Sequence, residues 1–251
     1  MSFRSKIPKV FIFINLFFLL FAPFLAFAGP PFLTDDPEPV EYKHQELYLF
    51  STFDKTNNSR IVQGPAVEYN IGAAPNLQLH MDAPFTYFSP KGSSSCHGFG
   101  DVELGMKYRF INETVYIPQI GIFPMFELAT GDSDRGLGNG KTWYKLPLWL
   151  QKSWGPWTTY GGGGYALNNA VGMRNHGFAG WLLQYTFNKH LTLGGEIFSQ
   201  QADIQNGEGF SLLNFGGYYN FTSKFSLLFS AGHTFTGERH AIGYLGLYWT
   251  W

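Results

Sequence analysis

The sequence predicts an all-β fold, a single antiparallel transmembrane β-barrel of about twelve strands. Three observations carry that expectation. Apolar residues recur with period two along most of the chain, as in Val102, Leu104, Met106, Tyr108 and Phe110 set against Asp101, Glu103, Gly105, Lys107 and Arg109. Charged residues are only 14% of the chain, while aromatics reach 19% and glycines number 30. That composition lacks the charge a water-facing surface carries. Connections between the alternating runs are short and long by turns, the hairpin rhythm of an outer-membrane barrel.

Each element follows in order. Residues 1–28, "MSFRSKIPKVFIFINLFFLLFAPFLAFA", carry a basic head (Arg4, Lys6, Lys9), an apolar run and the small-x-small site Ala26-Phe27-Ala28. They read as a secretory signal peptide, with a retained anchoring helix as the alternative; export follows from either. Residues 29–42 form a Pro-rich acidic segment, periplasmic or luminal, with Asp35, Asp36, Glu38 and Glu41. It is too rich in proline for a central strand. Residues 43–251 make the barrel, with strands expected at 43–53, 61–72, 77–88, 99–110, 115–129, 143–152, 157–167, 177–187, 190–202, 210–221, 224–235 and 241–251.

Short turns such as Asn188-Lys189 and Thr222-Ser223 face longer loops such as "SPKGSSSCHG", which holds Cys96, and "TGDSDRGLGNGKT". An even strand count places both termini at the periplasmic side. The last strand must then pair with the first to leave no open edge. Its alternation ends on Trp249 and Trp251, in the position of the periplasmic aromatic girdle. The competing architecture, a soluble barrel or sandwich with the apolar residues inside, fits poorly. Its outer face would be the polar set, which is rich in Gly, Ser, Thr and Tyr but poor in Lys and Glu. The single cysteine excludes an intramolecular disulfide framework, and a formal net charge of −1 gives no reason to expect nucleic acid.

The polar phase points into the lumen and carries most of the charge. Candidate lumen-lining residues are Glu46, Glu68, His80, Asp82, Asp101, Glu103, Lys107, Arg109, Glu127, Lys145 and Glu196. Two readings stand: they line a small polar channel, or they pair across the lumen and close it. Asp35, Asp36, Glu38 and Glu41 make the N-terminal segment a candidate plug that folds back against Lys107, Arg109 or Lys145. The run "YGGGGY", Tyr160 to Tyr165, marks either barrel curvature or close approach by another backbone, such as that segment.

Enzyme signals are poor, and neither a cofactor nor a metal is expected. "RGLGNG" opens no helix, and Cys96-His97 offers two adjacent ligands without a site. A lipid-modifying barrel would need a nucleophile and base at the outer rim. Ser199 and His233 lie two strands apart, about 9.5 Å, against the ~3 Å such a pair needs.

"GPPFLTDDPEPVEYKH" at 29–44, "GFGDVELGMKYRF" at 98–110 and "LPLWLQKSWGPWTTYGGGGY" at 146–165 resemble the family called putative MetA-pathway of phenol degradation. The resemblance implies a Gram-negative outer-membrane barrel of transporter type, and the family's name implies small aromatic or hydrophobic solutes. It also implies outer-membrane lipid and the barrel-assembly machinery as partners, with Trp249 and Trp251 as the assembly signal. Two functions are carried forward: a channel or transporter for small solutes, and a structural or surface-interaction barrel without transport.

Overall fold

The computed structural model describes residues 30–251; the expected signal peptide lies outside the described residues. Fourteen strands follow one another: β1 (Gln45–Lys55), β2 (Ser59–Ala74), β3 (Leu77–Pro90), β4 (Cys96–Phe99), β5 (Val102–Ile111), β6 (Gln119–Ile122), β7 (Met125–Leu128), β8 (Trp143–Trp154), β9 (Trp157–Leu167), β10 (His176–Thr186), β11 (Leu191–Gln200), β12 (Phe210–Asn220), β13 (Phe225–Gly237) and β14 (Ala241–Thr250). β4 and β5 pair with the same strand, β3, and β6 and β7 both lie between β5 and β8. The sheet therefore has twelve staves, every pair antiparallel, and it closes when β1 pairs with β14.

The breaks within two staves have local causes. Pro124 separates β6 from β7 and has no N–H to give the ladder. Between β4 and β5 the chain turns Asp101 inward, where its carboxylate accepts from Gly131 N at 2.8 Å and Asn139 N at 2.6 Å. The fifth expected strand began at residue 115, yet Val115 and Tyr116 lie in an exposed turn and β6 opens at Gln119. Cys96, expected in a loop, opens β4 instead.

Short connections and both described termini share one end of the barrel, called the turn end; the longer loops share the other, the loop end. Closure is completed at the turn end, where Gln45 N donates to Trp251 O at 2.9 Å and Trp251 N to Gln45 O at 3.1 Å.

Alternation sorts the two faces as period two demands. Leu49, Leu79, Leu104, Leu148, Ile197 and Leu245 are exposed outward, while Glu68, Lys107, Gln184, Glu196 and Asn214 are buried inside. An outer band of exposed leucine and isoleucine is solvated by hydrocarbon rather than water. At the turn end the outer face carries rings in contact, three pairs edge-to-face (Trp157–Tyr185 at 4.7 Å, Tyr185–Phe187 at 4.8 Å, Tyr219–Phe221 at 5.3 Å) and one stacked (Phe225–Trp249 at 5.0 Å). They form the aromatic girdle of a bilayer interface. Among the described residues no helix is long and apolar enough to cross a membrane; this chain crosses with strands.

Candidate permeation pathway

The lumen has an ionic wall. Glu68 on β2 stands opposite Asp82 on β3, Asp82 opposite Glu103 on β5, and Glu103 opposite Glu127 on β7. Four carboxylates in register on adjacent staves, about 4.8 Å apart, would repel one another strongly if alone. A histidine and a lysine lie among them. His80 sits with Nδ1 3.5 Å from Glu68 and Nε2 3.4 Å from Glu103. Lys145 Nζ reaches Glu103 at 2.7 Å and Glu127 at 3.6 Å. Asn70 donates to Glu68 at 2.8 Å and shares a 2.8 Å hydrogen bond with His80 Nδ1. Lower down, Glu46 accepts from Tyr248 Oη at 2.7 Å and Tyr48 Oη at 3.1 Å.

The N-terminal segment occupies the lumen. Rising from the turn end, Pro31 O accepts from Ser230 Oγ at 2.6 Å, and Leu33 N and Thr34 N donate to the two oxygens of Glu196 at 2.9 and 2.8 Å. Phe32 packs on Tyr160 and Leu182. The chain then crosses to the far wall. Lys107 Nζ holds Asp35 at 3.0 Å and Asp36 at 3.4 Å, and the Asp36 side chain is 0% exposed. Glu38 Oε2 accepts from Gln119 at 3.2 Å and Gln151 at 3.1 Å, with Arg109 3.9 Å from its other oxygen. Descending again, Val40 N donates to Gln78 Oε1 at 2.9 Å. Tyr42 bridges Gly72 before β1 begins. Glu41 puts its carbonyl, rather than its carboxylate, against the α-carbon of Gly72. A proline-rich stretch cannot satisfy its own backbone, so acidic and amide side chains of the wall do it.

Two encounters that the sequence left open do not occur. Lys145 belongs to the ionic wall and does not meet the segment. The four glycines Gly161 to Gly164 lie against β8 and β10: a Cβ on Gly162 would sit 3.0 Å from Trp149, and one on Gly164 2.8 Å from Phe178. Gly162 and Gly164 make room for inward rings on neighbouring staves, and Gly161 for the outward ring of Trp181. Besides Gly72, the segment passes close at Gly180, where a Cβ would strike Thr34, and at Gly121, where a Cβ would lie 3.0 Å from Pro37. Each is one inward glycine among larger side chains, and nothing in its local sequence announces the contact.

At the loop end the 129–142 connection turns into the mouth on the β3–β7 side. Asp101 anchors it, Leu137 is buried beneath it against Gly98, and Cys96 Sγ donates to Arg135 O at 2.9 Å. Asn139 and Asn168 exchange side-chain hydrogen bonds at 3.1 Å with the next loop. On the opposite side the mouth stays open as a cavity of about 680 Å³ lined by Phe178, Gln200, Gln201 and Phe210. A second cavity of about 290 Å³ opens at the turn end between the segment and β1–β3, lined by Asp35, Glu38, Glu46, Glu68 and Lys107. The N-terminal segment lies between the two.

At the outer rim Ser199 Oγ bonds Ser211 Oγ at 2.7 Å, while His233 Nδ1 lies 2.6 Å from Thr234 O. Each of the two is engaged with a neighbour, and no hydrogen bond joins one to the other. Among the described residues no group of three or more His, Cys, Asp and Glu is arranged to hold a metal ion.

The family model described as "Putative MetA-pathway of phenol degradation" matches residues 49–250, and the chain belongs to that family. No curated protein matches the sequence. Three solved structures share the fold at low identity. The COG4313 outer membrane channel from Pseudomonas putida F1 superposes with a TM-score of 0.69 at 15% identity, covering 86% of this chain and 98% of that one. The NanC porin gives 0.57 at 9% identity, with 81% and 98% covered. The KdgM porin in complex with disordered oligogalacturonate gives 0.56 at 11% identity, with 80% and 98% covered.

Proposed function

We propose that the chain is an outer-membrane channel for small solutes, whose N-terminal segment closes the lumen from the periplasmic, turn end. The observation that carries this reading is the tether of Asp35, Asp36 and Glu38 to Lys107, Arg109, Gln119 and Gln151, set between two cavities that open to opposite ends. A barrel built only as scaffold has no need of two vestibules. Family membership supports a channel, and the family's name points to small aromatic or hydrophobic solutes. Export through a signal peptide at 1–28 and delivery to the assembly machinery through Trp249 and Trp251 belong to the same reading.

The closure is noncovalent, and weak screening in a confined lumen makes it depend on charged side chains that substitution can remove. Planar-bilayer recordings test it. Asp35→Asn with Asp36→Asn should raise single-channel conductance or open probability over wild type, and removal of residues 30–40 should raise it further. Equal silence of all three, with unchanged solute entry into proteoliposomes, favours the structural barrel instead.

A further inference from the structure

The inward positions of β10 to β12 hold Gln184, Glu196 and Asn214 toward the turn end, but aromatic rings toward the loop end. Trp149 on β8, Phe178 on β10, Phe198 on β11 and Phe210 on β12 follow one another with centroids 6.3, 6.3 and 6.4 Å apart, and the tilted ring of His240 lies 4.4 Å beyond Phe210. Glycines make room for the rings. Gly162 stands opposite Trp149, Gly164 opposite Phe178 and Gly180 opposite Phe198, and a Cβ on each would come within 3.0 Å of the ring. The arc begins at the open half of the mouth, where Phe178 and Phe210 are only partly buried and line the 680 Å³ cavity. It reaches the N-terminal segment at Gly180, which touches both Phe198 and Thr34.

We propose that this arc is a binding track for uncharged single-ring aromatic solutes, and that it hands them from the mouth to the N-terminal segment. The inference rests on the channel reading and names its solute class. A row of rings at these spacings offers successive stacked and edge-to-face partners to a flat ring. The cavity has the size of a small-molecule site. Its lining carries no charged side chain; Gln200, Gln201 and Thr236 supply neutral donors and acceptors for a hydroxyl. An anionic solute entering it would lose hydration without gaining a counter-charge.

Binding to purified full-length protein in detergent decides the matter, read as saturable binding above the micelle background by equilibrium dialysis. Wild type should bind p-cresol, and bind benzoate and cyclohexanol at least about tenfold more weakly, since each lacks either neutrality or the ring. Phe178→Leu with Phe210→Leu keeps apolar volume and should still migrate as a heat-modifiable barrel, yet lose about tenfold in p-cresol affinity while its cyclohexanol binding stays unchanged. Equal p-cresol affinity in wild type and variant overturns the track, as does benzoate binding equal to that of p-cresol. Removal of residues 30–40 separates the two claims: the track predicts that p-cresol still binds, and loss of binding there overturns the placement of the site above the segment. Conductance unaffected by that removal would sink the closure reading alone.

Discussion

The two walls of the lumen solve the problem of a buried interior in opposite ways. From β2 to β8 the wall is ionic: Asp82 stands between Glu68 and Glu103, and His80 and Lys145 hold Glu68, Glu103 and Glu127 from other staves. From β8 to β12 its upper half is aromatic, with rings nested on glycines and contacts that are nondirectional. An ionic wall is specified by partners and fails when one is removed, because the survivor is left charged and unpaired. An aromatic wall degrades gradually and can exchange a protein neighbour for a solute of like surface. The 129–142 loop covers the ionic side and leaves the aromatic side open.

The sharpest way to break this comparison is to remove a cation. Lys145→Met leaves Glu103 and Glu127 facing each other and should destabilise the barrel by about 3 kcal/mol, measured by urea unfolding in lipid vesicles. Lys107→Met removes a cation that is more deeply buried, its side chain 5% exposed against 29% for Lys145, but its partners Asp35 and Asp36 lie on a segment that can leave. It should open the channel with far less loss of barrel stability. Equal destabilisation by both would show that the segment is a structural member and not a gate.

Gly180→Ala probes the meeting point of the segment and the rings without touching a charge. Its methyl would collide with Thr34, and overpacking of this kind costs about 1–3 kcal/mol. The relief is to displace the segment, so bilayer recordings should show more openings while heat-modifiability is kept; an unaltered trace would place the segment elsewhere. At the covered side, Cys96 should react with a membrane-impermeant maleimide in intact cells, but slowly, because its thiol donates to Arg135 O beneath the loop. Deleting residues 132–138 should quicken the reaction severalfold. Labelling that requires a broken outer membrane would invert the barrel.

The smallest effect is at the seam. His240, in the loop before β14, lies 3.0 Å from Asp54 at the upper end of β1 and clasps the closing pair of strands. Burial disfavours its charge, but the hydrogen bond and charge of Asp54 outweigh this, with Glu238 adding to them, and its pKa is raised above the usual histidine value. A raised folded pKa means stabilisation that is complete below about pH 6.5 and lost as pH rises through the folded value. The partly exposed pair is worth no more than about 1 kcal/mol. Thermal melts of wild type and Asp54→Asn should therefore differ at pH 6 and converge in alkali; a gap that widens with pH would reverse the assignment.

Much of this was legible in the residues alone. Period two tells which neighbours share a face, so the outward direction of Leu104 and the inward direction of Glu103 and Lys107 need no tertiary information. The short and long connections set the number of staves, and the terminal Trp249 and Trp251 marked the strand that closes against β1. Tertiary structure decided who meets whom across the lumen. Lys107 and Lys145 are alike in sequence, each an inward lysine in an alternating strand, yet one binds residues 35 and 36 and the other Glu103 and Glu127. The four consecutive glycines were open to barrel curvature or to close approach, while the segment's approach falls on isolated glycines such as Gly180 and Gly121. Trp149, Phe178, Phe198 and Phe210 are scattered over some sixty positions and become an arc only once neighbouring staves are in register. Facing is a local property of the backbone pleat. Contact across a closed barrel depends on strand register and on the path of a segment with no repeating pattern, and neither is written in any window of neighbouring residues.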